Sequence, residues 1–436
     1  MLFKLIHYQF SMHKCLLFLL ITLGSYALHS QEPIHQKDSS GVETDSISKI
    51  DYLKYLGNGF FPTKFLNLDL RYLVKFNQYE GFRTGLGGVT NDEFSEKYRI
   101  NSYVVYGFKD HRFKYRIGGG FRINEVSDTW INLSYTDDLQ ETGSSSFLTD
   151  KRFFQFFEPR LLNIDLFHKH ITKAINIEHN LTNHLVTETE FAISKIEPTY
   201  NYNFVIGDQS FRSYDISTAR ISAQWSPFNR FDTTTYDATS EKEGFPQFTL
   251  QVTQSFKNIL NGDFNFFKAD FRTRHKITYN DAVFSEIVFS SGLATGNTPL
   301  THLYHAYPNN ITKETVLQRF SVAGINSFET MYFNEFFSDR FAILQLKHFV
   351  KPFKISERYR PQLVLISRFA LGDMHNIERH QNITFGTINK GYSEAGFEIN
   401  KLLFGFGLSF AYRYGGYHLT EFADNIAAKF TFNVSL

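Results

Sequence analysis

Cysteine is almost absent from this chain of 436 residues, because Cys15 is the only one. Cys15 lies at the start of a short apolar run and not after it, so its position does not match that of a lipid-attachment site. The rest of the chain therefore has no disulfide and no thiol chemistry. Long apolar runs are also missing: outside the N-terminal segment, none approaches the ~20 residues that a membrane-spanning helix needs. A net charge of +1 gives no basis for nucleic-acid binding.

Sequence motifs of enzymes and metal sites are absent as well. There is no G-x-S-x-G nucleophile motif, and nothing in the sequence pairs Ser409 with His348. His302 and His305 are close in sequence, but no cysteine or carboxylate cluster completes a zinc pattern. We therefore predict a protein that is not an enzyme, with no catalytic residue, cofactor or metal.

The chain is instead rich in aromatic residues that alternate with polar ones. Phenylalanine occurs 49 times and tyrosine 24 times. The alternation has the two-residue period of a β-strand, and it is clearest in residues 66–76, 112–123, 267–277 and 402–414. Segments of about 11 residues are long enough to cross a bilayer at a tilt near 45°. An antiparallel sandwich with one wet face is the alternative, but a sandwich has no need of so many arginines opposite aromatic rows.

The last eleven residues, Ile426–Leu436, carry the same pattern to the end of the sequence given. Their apolar face predicts a C-terminal assembly signal, formed by Phe430, Phe432, Val434 and Leu436. We expect this strand to close a barrel by pairing with the strand that starts near Leu66. The predicted fold class is an all-β, transmembrane antiparallel β-barrel of about 16 strands, with a short N-terminal helix and one long inward-folded outer loop.

Three regions follow from this prediction. Residues 1–30 resemble a secretory signal peptide, and residues 31–63 are expected to be a periplasmic disordered segment with a short helix. Residues 64–436 form the predicted outer-membrane β-barrel domain. Together they indicate the outer membrane of a Gram-negative bacterium.

Strand counting predicts how the loops are distributed between the two ends of the barrel. An even count of sixteen places the long connections 139–171, 196–213, 293–338 and 372–390 outside the cell. Residues 317–328 have strand-like content, but counting them as a strand would break this parity. We therefore predict that 293–338 is one outer loop whose middle folds back into the barrel.

Four motifs resemble a known family: E-G-F-R-T-G-L-G-G-V-T-N at 80–91, Y-G-F-K-D-H-R-F-K-Y at 106–115, Y-T-D-D-L at 135–139 and N-E-F-F-S-D-R-F at 334–341. The family is an uncharacterised group of Gram-negative outer-membrane barrels that commonly follow a carboxypeptidase-regulatory-like domain. It is similar to the bacterial surface antigen superfamily, which includes the barrel-assembly insertase. The resemblance implies sixteen strands and an inward loop between strands eleven and twelve. The superfamily has an Arg-Gly pair in that loop, whereas this chain reads S-F-E-T at 327–330.

Charged side chains on the polar faces are the candidate site residues. We expect the following to face the lumen: Lys114, Arg116, Arg122, Asp270, Arg272, Arg274, Lys276, Glu394, Glu398 and Arg413. Glu335, Asp339 and Arg340 are candidates for a lock between the inward loop and the wall. Such charges either set solute preference or pair across the lumen and hold the loop. Because basic residues outnumber acids on several inward faces, an open pore should prefer anions.

Two classes of function remain open from the sequence. The first is an outer-membrane protein with a transport, translocation or assembly role, and the second is a plugged structural or surface-exposed barrel that binds a partner through its outer loops. The expected partners are outer-membrane lipid, the barrel-assembly machinery during insertion, and an unidentified periplasmic or surface partner. We expect a monomer that does not bind nucleic acid.

Overall fold

The computed structural model describes residues 55–150, 159–228, 244–311, 322–324, 326–356, 359–403 and 406–432. The predicted signal peptide and residues 31–54 lie outside these ranges, and the predicted N-terminal helix is represented by helical residues 55–57. Within the described ranges, no helix has the length and apolar character needed to cross a membrane.

One large antiparallel sheet dominates the structure. It contains eighteen strand segments, of which two form a broken first strand and one, Phe60–Pro62, is a short addition beside that strand, which leaves sixteen wall strands. The wall strands are β1 (Leu66–Asp69 and Val74–Asn77), β2 (Gly81–Thr90), β3 (Tyr98–Gly107), β4 (Arg112–Asn124), β5 (Thr129–Glu141), β6 (Phe167–Thr182), β7 (Leu185–Pro198), β8 (Tyr214–Trp225), β9 (Gln247–Ser255), β10 (Phe266–Asn280), β11 (Val283–Gly296), β12 (Arg340–Phe349), β13 (Gln362–Asp373), β14 (Tyr392–Leu403), β15 (Phe406–Gly415) and β16 (Ile426–Phe432).

Each wall strand pairs with the next one along the chain. The predicted all-β antiparallel fold with sixteen strands is thus confirmed. Because neighbours run antiparallel, successive connections alternate between the two ends of the sheet. The long connections after β5, β7, β11 and β13 all leave the same end, which we call the cap end.

The two faces of the sheet have opposite chemistry. In β4, Phe113 and Ile117 are 64% and 63% exposed, whereas the intervening Lys114 is 5% exposed. In β16, Lys429 and Thr431 are buried while Phe430 is 41% exposed. Apolar side chains therefore cover the outer face and polar side chains fill the inner face, the reverse of a water-soluble protein. We call the space bounded by the inner face the lumen.

The first strand departs from the predicted alternation. A 3-10 turn at Leu70–Tyr72 interrupts β1, and the Asp69 side chain caps it by accepting a hydrogen bond from the Arg71 amide at 3.0 Å. The turn resets the phase of the strand, so Leu73 and Val74 are both exposed. Tyr72 stacks on Tyr103 with ring centroids 4.1 Å apart.

Connections at the cap end fold into a compact cap. Asn203–Ile206 pairs with Gln209–Phe211 and with His380–Gln381, so the connections after β7 and β13 share one small sheet. A buried apolar cluster lies beneath it, formed by Tyr202, Phe204, Tyr214, Phe264, Phe266, Leu300, Leu303, Tyr304, Phe337 and others. The remaining short elements are the 3-10 helices Pro159–Leu162, Leu300–His302, Ile377–Arg379 and Phe422–Asn425 and the parallel strand pair Pro308–Asn310 with Phe328–Tyr332.

The connection after β11 reaches the last wall strand. Val322 forms a parallel β-bridge with Phe430, and the amide of Ala323 donates to the Phe430 carbonyl at 2.7 Å. The predicted closing pair between β16 and β1 is not among the strand pairs that the described residues form. Val434 and Leu436 lie outside those residues, so closure by these two strands stays a prediction.

Candidate functional site

One part of the connection after β11, the described residues 322–324 and 326–335, packs against the inner face of β12–β16. We call it the inner loop. Its apolar anchors are Phe328 and Met331, which are both almost fully buried. They form a cluster with Ile343, Ala370 and Tyr392 of the wall. The predicted inward fold of this connection is thus present over residues 322–324 and 326–335, while half of 317–328 lies outside the described residues.

Glu329 of the inner loop makes several hydrogen bonds and one ion pair. Its carboxylate accepts hydrogen bonds from the Ser327 hydroxyl at 2.7 Å and the Gly324 amide at 3.0 Å. It also accepts from the Asn309 amide group at 2.8 Å and pairs with Lys429 of β16 at 2.9 Å. Glu329 therefore joins two parts of the connection after β11 to the last wall strand.

The charge state of Glu329 follows from its surroundings. Burial raises the pKa of this carboxyl, but the positive charges of Lys429 and Arg368 and the hydrogen bonds from Lys429 and Ser327 outweigh it, so the pKa lies below its ordinary value. Glu329 is therefore ionised at neutral pH, as its pairing with a buried ammonium group requires.

A second contact joins the inner loop to β13 and β14. Glu394 accepts from Arg368 at 2.6 Å and, with its other oxygen, from the Thr330 amide and hydroxyl at 2.7 and 2.6 Å. Arg368 and Glu394 are both almost fully buried. Both charged residues belong to the wall, so the inner loop takes part in this contact through Thr330 alone.

Glu335 makes the third contact, with β15. Arg413 donates to both oxygens of this carboxylate, at 2.7 and 3.2 Å, and its guanidinium lies 4.8 Å from the centre of the Tyr392 ring. Paired N–H donors of this kind fix orientation as well as distance. We call the pairs Glu329–Lys429, Glu394–Arg368 and Glu335–Arg413, with Thr330, the lock.

Asp339 and Arg340, the other two lock candidates, lie at the cap. Asp339 accepts from His375 at 3.0 Å and from Arg340 at 3.2 Å, and Arg340 also pairs with Asp373 at 2.6 Å. These contacts join the start of β12 to the end of β13 and the residues after it. They do not contact the inner loop.

The other lumen candidates lie on the inner faces of β4, β10 and β14. Lys114 pairs with Glu80 at 2.6 Å and Asp110 at 2.5 Å. Arg122 pairs with Asp128 at 2.7 Å, and Arg272 pairs with Asp150. The remaining members of the set are Arg116, Asp270, Arg274, Lys276 and Glu398, of which Asp270 and Glu398 are buried.

Sequence reasoning missed Glu329, Arg368 and Lys429 as lock residues. Lys429 carried a signal, since it is the one charged side chain on the polar face of residues 426–436. Nothing local in the sequence indicates that it meets Glu329, one hundred residues earlier.

The histidines and serines considered above form no recognisable catalytic or metal site. His305 contacts Glu141 at 2.7 Å, and no group of three or more metal-ligating side chains occurs among the described residues. His348 contacts Ser285 at 2.9 Å and does not pair with Ser409. Histidine–hydroxyl contacts recur elsewhere in the sheet, as between His179 and Thr129 at 2.6 Å, so this one is not distinctive.

The cap carries a pH-sensitive contact. Burial, and next the positive charge of Arg379, lower the pKa of His380 to about 4. Its ring stacks with Phe204 at 5.3 Å, and one ring nitrogen contacts the Tyr202 hydroxyl at 2.8 Å. Because folding favours the neutral imidazole, its contribution is fully present above the unfolded pKa near 6.5 and is lost as pH falls through about 4.

Acidification from pH 7 to pH 4 is therefore expected to destabilise the cap by up to about 3 kcal/mol. Hydrogen exchange of residues 199–213 and 374–391, corrected for the intrinsic pH dependence of exchange, measures this change. His380→Phe should remove most of it, whereas His111→Phe, at an exposed turn, should not. An equal response in all three proteins would contradict the assignment to His380.

The solved structures that align with most of this chain include three at low sequence identity. BamA from Haemophilus ducreyi lacking POTRA domains 1-3 aligns at 9% identity and a TM-score of 0.49, covering 84% of this chain and 69% of that one. CdiB from Acinetobacter baumannii aligns at 9% identity and a TM-score of 0.42, covering 81% of this chain and 57% of that one. CdiB from Escherichia coli aligns at 8% identity and a TM-score of 0.43, covering 85% of this chain and 62% of that one. This chain thus spans less than two thirds of either CdiB chain. At these identities and TM-scores we draw nothing about function from the likeness.

Family membership comes from a different comparison. No curated protein matches the chain. A family model described as "Family of unknown function (DUF5686) C-terminal domain" matches residues 63–332, which is more than half of the sequence and includes all of β1–β11 and most of the inner loop. The chain therefore belongs to this family of unknown function.

Proposed function

We propose that the protein is an integral outer-membrane β-barrel that transports or translocates material, or assists its assembly, through a lumen that the inner loop plugs at rest. The apolar outer face suits the bilayer, and the cap end faces the cell exterior. Outer-membrane lipid and, during insertion, the barrel-assembly machinery are its expected partners. The motif resemblance to the surface antigen superfamily favours the same class of function.

The observation that carries this proposal is the chemistry of the lock. The inner loop is held by two ion pairs, to β15 and β16, by the hydrogen bonds from Thr330 to Glu394 of β14, and by one small apolar cluster. Ion pairs can be exchanged for contacts with water or with a ligand, whereas a large apolar core cannot be separated without a large free-energy cost. A loop held in this way suits a plug that is displaced during function.

The resemblance also implies a difference of mechanism. In the surface antigen superfamily the inward loop carries an Arg-Gly pair, and here the loop contributes Glu329 and Glu335 while the wall contributes Lys429 and Arg413. The charge of the loop is thus reversed relative to that pair. We propose that the lock holds the loop in place, and we do not extend the insertase role of the superfamily to this loop.

The second candidate function is a permanently plugged barrel that binds a partner through its outer loops. The cap favours it, because the cap packs around an extensive buried apolar cluster and shares a sheet between two connections. Such a cap presents a rigid surface to the cell exterior. In this case displacing the inner loop would have no functional consequence.

Conductance in planar bilayers distinguishes the two candidates. We expect the wild-type protein to conduct poorly and Glu329→Gln/Glu335→Gln to show frequent opening events, because both ion pairs between the inner loop and the wall lose their acidic partner. Asp92→Gln/Glu93→Gln, which removes two acidic charges from the connection between β2 and β3, is the control and should behave as wild type. If the lock variant stays as closed as the control, the barrel is a scaffold and the transport proposal fails.

A further inference from the structure

Basic side chains follow one wall strand along the lumen. Lys268, Arg272, Arg274 and Lys276 occupy alternate positions of β10, interrupted once by Asp270. All five lie on the inner face, because Asp270 is buried while Phe267 and Ile277 are exposed on the other face. At the rise of a β-strand the row extends about 27 Å along the wall. We call it the basic row.

Neighbouring strands provide almost no opposite charge. On β9 the register partners of Lys268, Arg272 and Arg274 are Thr253, Thr249 and Gln247. On β11, the partners of the basic row from Lys268 to Lys276 are Ala294, Gly292, Ser290, Val288 and Glu286. Only Lys276 therefore has an acidic partner across the ladder, and the rest of the row lies between neutral side chains.

Aromatic rings take the place of carboxylates. Lys268 lies 4.4 Å from the centre of the Tyr304 ring and Lys276 lies 4.4 Å from that of Phe284. Arg272 lies 4.5 Å from the Phe147 ring and also pairs with Asp150. Ring faces position a cation without neutralising its charge. Among the described residues, no carboxylate lies within ion-pair distance of Lys268, Arg274 or Lys276.

Several other basic residues of the inner face are paired with carboxylates. Arg83 pairs with Asp138 at 2.7 Å and Arg99 with Glu178 at 2.5 Å. Arg220, two strands away from the row on β8, pairs with Glu190, and Arg368 and Arg413 are paired within the lock. The basic row therefore differs from these paired cations, because most of its members have no carboxylate within ion-pair distance.

We infer that the basic row is a binding track for anionic groups, such as a phosphate or carboxylate, carried by the material that enters the lumen. The inference rests on the proposed function insofar as a ligand must reach the lumen. Cations spaced at every second residue let an anion pass from one side chain to the next without leaving the positive potential. The neutral hydroxyl and amide groups of β9 complete its hydrogen bonds.

Titration calorimetry of the full-length protein in neutral detergent micelles tests the track. Inorganic tripolyphosphate represents a free anionic solute, and phosphatidylglycerol in mixed micelles represents a lipid headgroup. We expect Lys268→Gln/Arg274→Gln to bind the recognised probe roughly tenfold more weakly than wild type, because two charge-assisted contacts are lost. The probe that responds identifies the source of the anion.

Lys257→Gln/Lys401→Gln is the matched control, since it removes two exposed positive charges, one between β9 and β10 and one near the end of β14, and should bind as wild type. If the double variant fails to fold, Arg274→Gln alone, whose side chain is exposed to the lumen, replaces it. Equal binding by wild type, variant and control, or no binding of either probe by wild type, would overturn the inference. Binding requires no open pore, so this result is independent of the conductance of the lock variants.

Discussion

Arginine in place of Ile117 is expected to prevent assembly of the protein in a membrane. Ile117 lies near the middle of β4 and is 63% exposed on the outer face. In water such a change would alter stability by only about 0.5 kcal/mol or less. Facing the hydrocarbon of a bilayer near its midplane, an arginine costs ~2–4 kcal/mol. A second arginine at Leu133, on the neighbouring β5, should add to this cost.

Two observations separate a membrane effect from a general folding defect. Val126→Arg makes a similar change at an 86% exposed position of the connection between β4 and β5, and it should assemble normally. The amount of protein in the outer-membrane fraction, and its heat-modifiable migration on gels, measure assembly. Normal assembly of Ile117→Arg/Leu133→Arg would show that the outer face does not meet lipid.

Deletion of residues 316–330 is expected to give the largest change in conductance. The deletion removes Glu329, Thr330 and the Val322–Ala323 segment that bonds to β16. It leaves Arg368 and Glu394 paired with each other, because both belong to the wall. The sheet should therefore stay folded while the lumen loses its plug. Lys429 loses its carboxylate partner, so we expect a loss of stability beside the gain in conductance.

The strands were predictable from the sequence because the outer and inner faces differ so strongly. Apolar and polar residues alternate wherever one face is apolar and exposed, and the other is polar and buried, as at Phe113 and Lys114. The pattern fails in β1, where Asp69 caps a turn and shifts the phase of the residues that follow. A capping contact of this kind competes with strand pairing, and the two-residue alternation of apolar and polar residues does not predict it.

The lock was only partly predictable. Glu335 and Arg413 could both be placed on the inside from the sequence, Glu335 as a lock residue and Arg413 as a lumen residue, but their pairing depends on where the loop lies in space. Glu329 and Lys429 are one hundred residues apart, and a single sequence carries no information on such a pair. The cap was missed for the same reason, because Asn203–Ile206 and His380–Gln381 are distant in sequence and meet only in the folded structure.

Single-channel recording of the wild-type protein and of the 316–330 deletion in the same planar bilayers tests the central claim most directly. The claim is that a polar lumen crosses the membrane and that the inner loop closes it. We predict a nearly silent wild type and a deletion protein with large, stable openings and unchanged heat-modifiable migration. A correctly folded deletion protein that conducts like the wild type would contradict both the plug and the proposed function.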